Sequence, residues 1–230
     1  MKKIVALILA VLCLFACVSC QEPEEVIPEG IAKVSEMYKT AAPAKTVVRT
    51  VQDFGDYTLE GETTLVVGTY NGKAAALYTY VYQELADVEQ MNSVAKRSVQ
   101  GSKEYFEGRG VRENAIVDAA ARFDRKAENF APATGAIALN LDATVLTDVV
   151  YENGVFTANV PASGLKTVFG EDTTIATATA ITITVAGNMV TGVTLTYTIP
   201  SLTAAPDVTV TVTATYIYDV QFVAPIVAFS

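Results

Sequence analysis

The stretch Ile181 to Pro200 reads ITITVAGNMVTGVTLTYTIP. Ile181, Ile183 and Val185 alternate with Thr182 and Thr184. After a Gly187–Asn188 turn, Val193, Leu195, Tyr197 and Ile199 return with Thr194, Thr196 and Thr198 between them. Successive strand side chains point to opposite faces, so each arm is apolar on one side and threonine on the other. That division is the pattern of an antiparallel sheet with one face packed and the other wet. Threonine suits the wet face through its branched β-carbon. Pro200, which has no N–H to give a ladder, ends the second arm. A third arm follows the same rule, with Val208, Val210, Val212 and Ala214 alternating with Thr209, Thr211, Thr213 and Thr215. Left as an exposed edge, this run invites aggregation, so it is expected to be paired on both sides or covered.

The pattern extends towards the N-terminus. Leu141–Pro161 predicts a hairpin turning at Asn153–Gly154, and Thr58–Leu85 predicts another at Asn71–Gly72, because Asn-Gly between apolar runs selects a tight hairpin turn. Val47, Arg49 and Val51, alternating with Val48 and Thr50, predict a strand. Ala162–Gly170 predicts one helical turn closed by Gly170. Ile31, Val34, Met37 and Tyr38 share one helical face, which predicts a short amphipathic helix ending before Pro43. Asp87–Ala133 is less regular. Within it, Ser102–Ala115 predicts a strand, a glycine-broken turn and a second strand, and Ile116–Phe130 reads as a weak helix or extended loop. The expected fold is α+β and mostly antiparallel β: a curved sheet or half-barrel with a few short helices, in one domain over 31–230.

The first residues carry a different message. Met1-Lys2-Lys3 precedes an apolar run, Ile4–Ala16, which is the layout of a secretory signal peptide. The run is shorter than the roughly 20 apolar residues a spanning helix needs. Polarity switches at Gln21-Glu22-Pro23-Glu24-Glu25. Ser19-Cys20 resembles the lipobox of bacterial lipoproteins, in which a small residue precedes the cysteine that is lipidated. The resemblance implies a signal over 1–19, a lipid anchor at Cys20, and a tether over 20–30 holding the domain on the extracytoplasmic side of a bacterial cell envelope. Cys17, after Phe15 and Ala16, is the rival register; Cys20 is preferred because the polar segment starts directly after it.

The spacing Cys17-x-x-Cys20 also fits a redox pair or half a zinc site. A redox pair needs a folded βαβ context, and this one sits in a segment due for removal. A closed zinc site needs partner ligands, and the chain has no histidine and no cysteine after Cys20. The missing histidine also closes Ser-His-Asp and Cys-His catalysis. No cofactor or metal is expected, and the expected class is not an enzyme. The net charge of −9 becomes −11 once Lys2 and Lys3 leave with the signal, which argues against nucleic acid as a partner.

Several clusters hold residue types that can carry chemistry. Asp118 with Asp124, and Glu171-Asp172, are carboxylate sets without calcium-loop spacing, and read as solvated loops. Arg109 and Arg112 offer guanidinium groups to an anion but read as ordinary turn arginines. Ser93 and Lys96 have nothing that would set a base against a nucleophile. Tyr78, Tyr80 and Tyr82 share a strand face, as do Tyr216 and Tyr218. Tyrosine rows line pockets or pack across strands, and packing is the commoner outcome. The first three are the candidate ligand-binding residues.

The order of elements, with Ile31–Tyr38 leading into Val47–Val51, then YENGVFTANVP and ITITVAGN…VTLTYTIP, resembles the lipoprotein-carrier (Lol-type) and mycobacterial lipid-carrier (LppX-type) superfamily. The resemblance implies a half-barrel closed by helices around a lipid cavity, and carriage of a lipid or other hydrophobic ligand without catalysis. The alternative is an interaction lipoprotein with a filled core that docks a protein partner. A roomy apolar cavity under the sheet favours the first, and a packed interior the second.

Overall fold

The computed structural model describes residues 29–84, 93–100, 103–112, 115–124, 136–170, 176–202 and 206–223. Its frame is one open sheet of eleven strands. The strands are β1 (Lys45–Asp53), β2 (Thr58–Tyr70), β3 (Lys73–Glu84), β4 (Ser93–Gln100), β5 (Lys103–Arg112), β6 (Ala115–Asp124), β7 (Thr147–Glu152), β8 (Val155–Pro161), β9 (Ala178–Ala186), β10 (Met189–Ile199) and β11 (Val208–Ile217). Helix α1 (Glu29–Thr40) precedes them, and a 3-10 turn (Ala162–Gly164) runs into α2 (Leu165–Phe169) between β8 and β9. The order across the sheet is β6-β5-β4-β3-β2-β1-β11-β10-β9-β8-β7, and every described pairing is antiparallel. Two meanders therefore meet where β1 pairs with β11, from Lys45 opposite Ile217 to Asp53 opposite Thr209.

The threonine-striped run ends up where its hazard is removed. β11 lies between β1 and β10, so both its edges are satisfied. Its apolar alternates Val212, Ala214 and Tyr216 enter the core with Ile181, Ile183, Val193 and Leu195 from the neighbouring strands, and Val210 is buried outside that cluster. Asn71, Asn153, Gly72 and Gly154 all have positive φ, as the two Asn-Gly hairpins require.

One face of β7–β11 is covered by α1, the 136–146 segment and α2. The helix lies across the strands rather than along them: a Cβ on Gly30 would stand 2.6 Å from the Tyr151 Cβ on β7, while Tyr38 bonds to Tyr216 on β11. Eight residues of helix rise about 12 Å, whereas strands four places apart in a flat sheet are about 19 Å apart. The curve of the sheet towards α1 and the reach of the tyrosines close that difference. The interior there is filled: Val34, Phe156 and Ile183 have 0% of their surface exposed and Val193 has 1%. Gly170, at φ 75°, ends α2 in the left-handed conformation expected of it, and its N–H bonds to the Lys166 carbonyl.

The irregular middle is the main correction. Residues 93–100, 103–112 and 115–124 form three further strands. The expected helix or loop at Ile116–Phe130 is strand β6 as far as Asp124; the remainder lies outside the described residues. Four alanines in Ala115–Asp124 hide its two-residue period, and pairing with β5 over ten positions overrides their helical preference. Nor does a turn break Lys103–Arg112. β5 continues through Gly108 and Gly110, which sit in the ladder opposite Ala119 and Val117.

Candidate functional site

The alternation of β1 to β3 carries the packed face of the sheet beyond its helical cover. Thr46 stands between Tyr216 and Leu65, and Leu65 stands opposite Tyr78. Tyr80 is opposite Thr63, and Tyr82 is opposite Gly61. The three candidate tyrosines thus lie on the same side of the sheet as the core. The Tyr78 and Tyr80 rings are 6.2 Å apart and almost parallel, at 1°. Both are half-buried, while Leu65 and Ala76 on the same face are buried. This ring contact runs along β3 rather than across strands, and it leaves a partly open apolar surface.

The other tyrosine row is a structural bridge. The Tyr38 hydroxyl donates to the Ile137 carbonyl and lies 3.2 Å from the Tyr216 hydroxyl. The Ile137 N–H donates to that second hydroxyl at 2.9 Å, and Tyr218 donates to the Val190 carbonyl at 2.7 Å. Helix, crossing segment and sheet are thereby tied at one point. Burial pushes the Tyr38, Tyr216 and Tyr218 phenols above their ordinary value; for Tyr38 the neighbouring Tyr216 adds to it.

On the opposite face, Arg49, Glu60, Gly61, Glu62 and Val81 line a shallow depression of about 320 Å³. Arg49 Nη2 meets Glu60 Oε2 at 2.6 Å, with 55% and 27% of the two side chains exposed. A pair this wet is worth at most about 1 kcal/mol. The sequence holds no signal for it beyond charge alternation in two strands that pair.

The remaining candidates do not converge. Asp118 and Asp124 are six residues apart on β6, about 20 Å along a strand, too far to share a proton or a cation. Arg109 and Arg112 are three apart on β5, and Ser93 and Lys96 three apart on β4, so each pair alternates to opposite faces. Cys20, Cys17 and Glu171-Asp172 lie outside the described residues. Among the described residues no group of three or more acidic side chains is placed to hold a metal, and no helix is long and apolar enough to cross a membrane.

The chain matches no protein-family model and no curated protein sequence.

Proposed function

We propose that this is a lipoprotein tethered through Cys20 to the extracytoplasmic side of a bacterial envelope membrane, acting by binding and not by catalysis. Its ligand is a protein docked on the sheet. The observation that carries this reading is the packed interior beneath α1, where among the described residues Val34, Phe156, Ile183 and Val193 have at most 1% of their surface exposed and so line no acyl-sized void. The short segment after Cys20 limits the reach of the tether: the eight residues Gln21–Pro28, fully extended, span about 28 Å.

A second reading, closer to the lipid-carrier resemblance, is supported by one observation. The stacked Tyr78–Tyr80 pair leaves apolar surface half-exposed on the core side of the sheet, where a hydrophobic ligand gains about 0.8 kcal/mol per buried methylene. Titration with a fluorescent fatty acid separates the two. The protein-docking reading predicts no saturable binding at micromolar probe. Saturable binding lost in Tyr78→Ala and Tyr80→Ala overturns it in favour of the hydrophobic ligand.

A further inference from the structure

The two edges of the sheet are built differently. At one end β7 has six residues, Asp148 at φ 52°, and a shift in its pairing between Thr147 and Val150. A short, bulged edge resists the addition of another strand. At the other end β6 has ten residues, paired with β5 without a shift from Asp124 opposite Lys103 to Ala115 opposite Arg112. Among the described residues β6 pairs with β5 alone.

We propose that β6 is the docking edge and that its partner is the β6 of a second copy of this chain, joined antiparallel about a two-fold axis at Ala120. The inference deepens the protein-partner reading by naming a partner. The argument is register. On a strand already paired along one side, the outward N–H and C=O belong to every second residue, so a symmetric partner must match odd positions with odd and even with even. The longest overlaps meeting this condition centre on Ala119 or Ala120; the next longest centre on Ala121 or on Asp118, which would set that carboxylate opposite its own copy. Centred on Ala120, Asp118 stands opposite the second copy's Arg122, and Val117 opposite its Phe123, each pair occurring twice. Centred on Ala121, Asp118 meets Asp124. Centred on Ala119, Asp118 meets Ala120 and Arg122 meets Ile116, so no opposite charges face each other; the Ala120 register also sets one charge, Asp124, against Ile116, but it alone adds the Asp118–Arg122 pairs. Opposite charges across a strand pair stabilise it and like charges weaken it, which selects the Ala120 register. Arg109 already stands opposite Asp118 on the β5 side, so in the dimer that carboxylate has an arginine position on each flank.

The position on the axis gives the test. Ala120 would face its own copy, so Ala120→Cys in the full chain should form a covalent dimer on mild oxidation. Ala119→Cys should not, because its copies would be diagonal, about 7–8 Å apart, and beyond disulfide reach. The parent chain, whose only cysteines are Cys13, Cys17 and Cys20, supplies the background. In the Ala120→Cys background, Asp118→Arg should lower the dimer several-fold, and adding Arg122→Asp should restore it. The proposal is overturned by no dimer above background from Ala120→Cys, by equal yields from Ala119→Cys, or by a double swap that stays at the Asp118→Arg level. Loss of β6 cross-linking with no fatty-acid binding would leave the filled-core reading standing with a different protein partner.

Discussion

Tyr38 does more than fill space. Its hydroxyl serves a backbone carbonyl 99 residues away and a second tyrosine 178 residues away. Tyr38→Phe keeps the ring and strands the Ile137 carbonyl, so thermal unfolding should show a loss of about 1–2 kcal/mol. An unchanged melting temperature would remove the bridge from the account. The same cluster sets a pH limit. The folded phenols of Tyr38 and Tyr216 titrate above the unfolded value of 10.0, so the native state holds protons that the unfolded chain releases. Stability is therefore complete below pH 10 and falls as pH rises beyond it. Absorbance at alkaline pH should show part of the tyrosinate signal appearing only with unfolding, followed by circular dichroism; full ionisation with the fold intact would contradict this. Gly68 is a further sensitive position, because a Cβ there would collide with the Phe222 side chain, which crosses the sheet face opposite the core. Gly68→Ala should release the 219–223 segment and sharpen proteolysis there, and an unaltered digestion pattern would contradict that packing.

The elements differ in how openly the sequence declares them. The C-terminal meander and both Asn-Gly hairpins were legible because their two-residue period is written in contrasting types, valine and isoleucine against threonine. α1 was legible from the spacing of Ile31, Val34, Met37 and Tyr38, and the helix runs from Glu29 to Thr40, starting two residues inside the segment expected to be a tether. β4 to β6 were not, since alanine, glycine and alternating charge carry little contrast, and their strand character comes from pairing with β3 and with each other. The tyrosine row was legible as a shared face, but its side of the sheet depended on the β1–β11 and β1–β2 registers, which join residues too distant for local pattern to connect. The helix also carries a packing prediction. Val34 is wholly enclosed, so Val34→Ala should cost about 1–3 kcal/mol and lower the melting temperature, while Lys33→Ala, a neighbour outside the buried core, should change it little.

The whole molecule is two meanders joined between the first and last strands, with a packed layer over one half of the sheet and half-buried tyrosines continuing its core side in the other. Closing β1 on β11 joins residues about 170 apart in the chain, a non-local pairing that makes folding slow relative to hairpin formation. At this scale the two proposed functions differ in where the ligand sits, a protein docked outside the sheet or an apolar molecule held on or beneath it. The proposed anchor is tested by Cys20→Ala, which should release the chain from the membrane fraction; retention there would move the proposed anchor to Cys17 or remove it. The measurement that bears most directly on the filled core is native mass spectrometry of the chain starting at Gln21, purified without its anchor and incubated with lipid vesicles. A clean mass of the polypeptide alone, before and after incubation, is the predicted result. A stoichiometric lipid adduct, identified by organic extraction against a buffer control, would contradict the account.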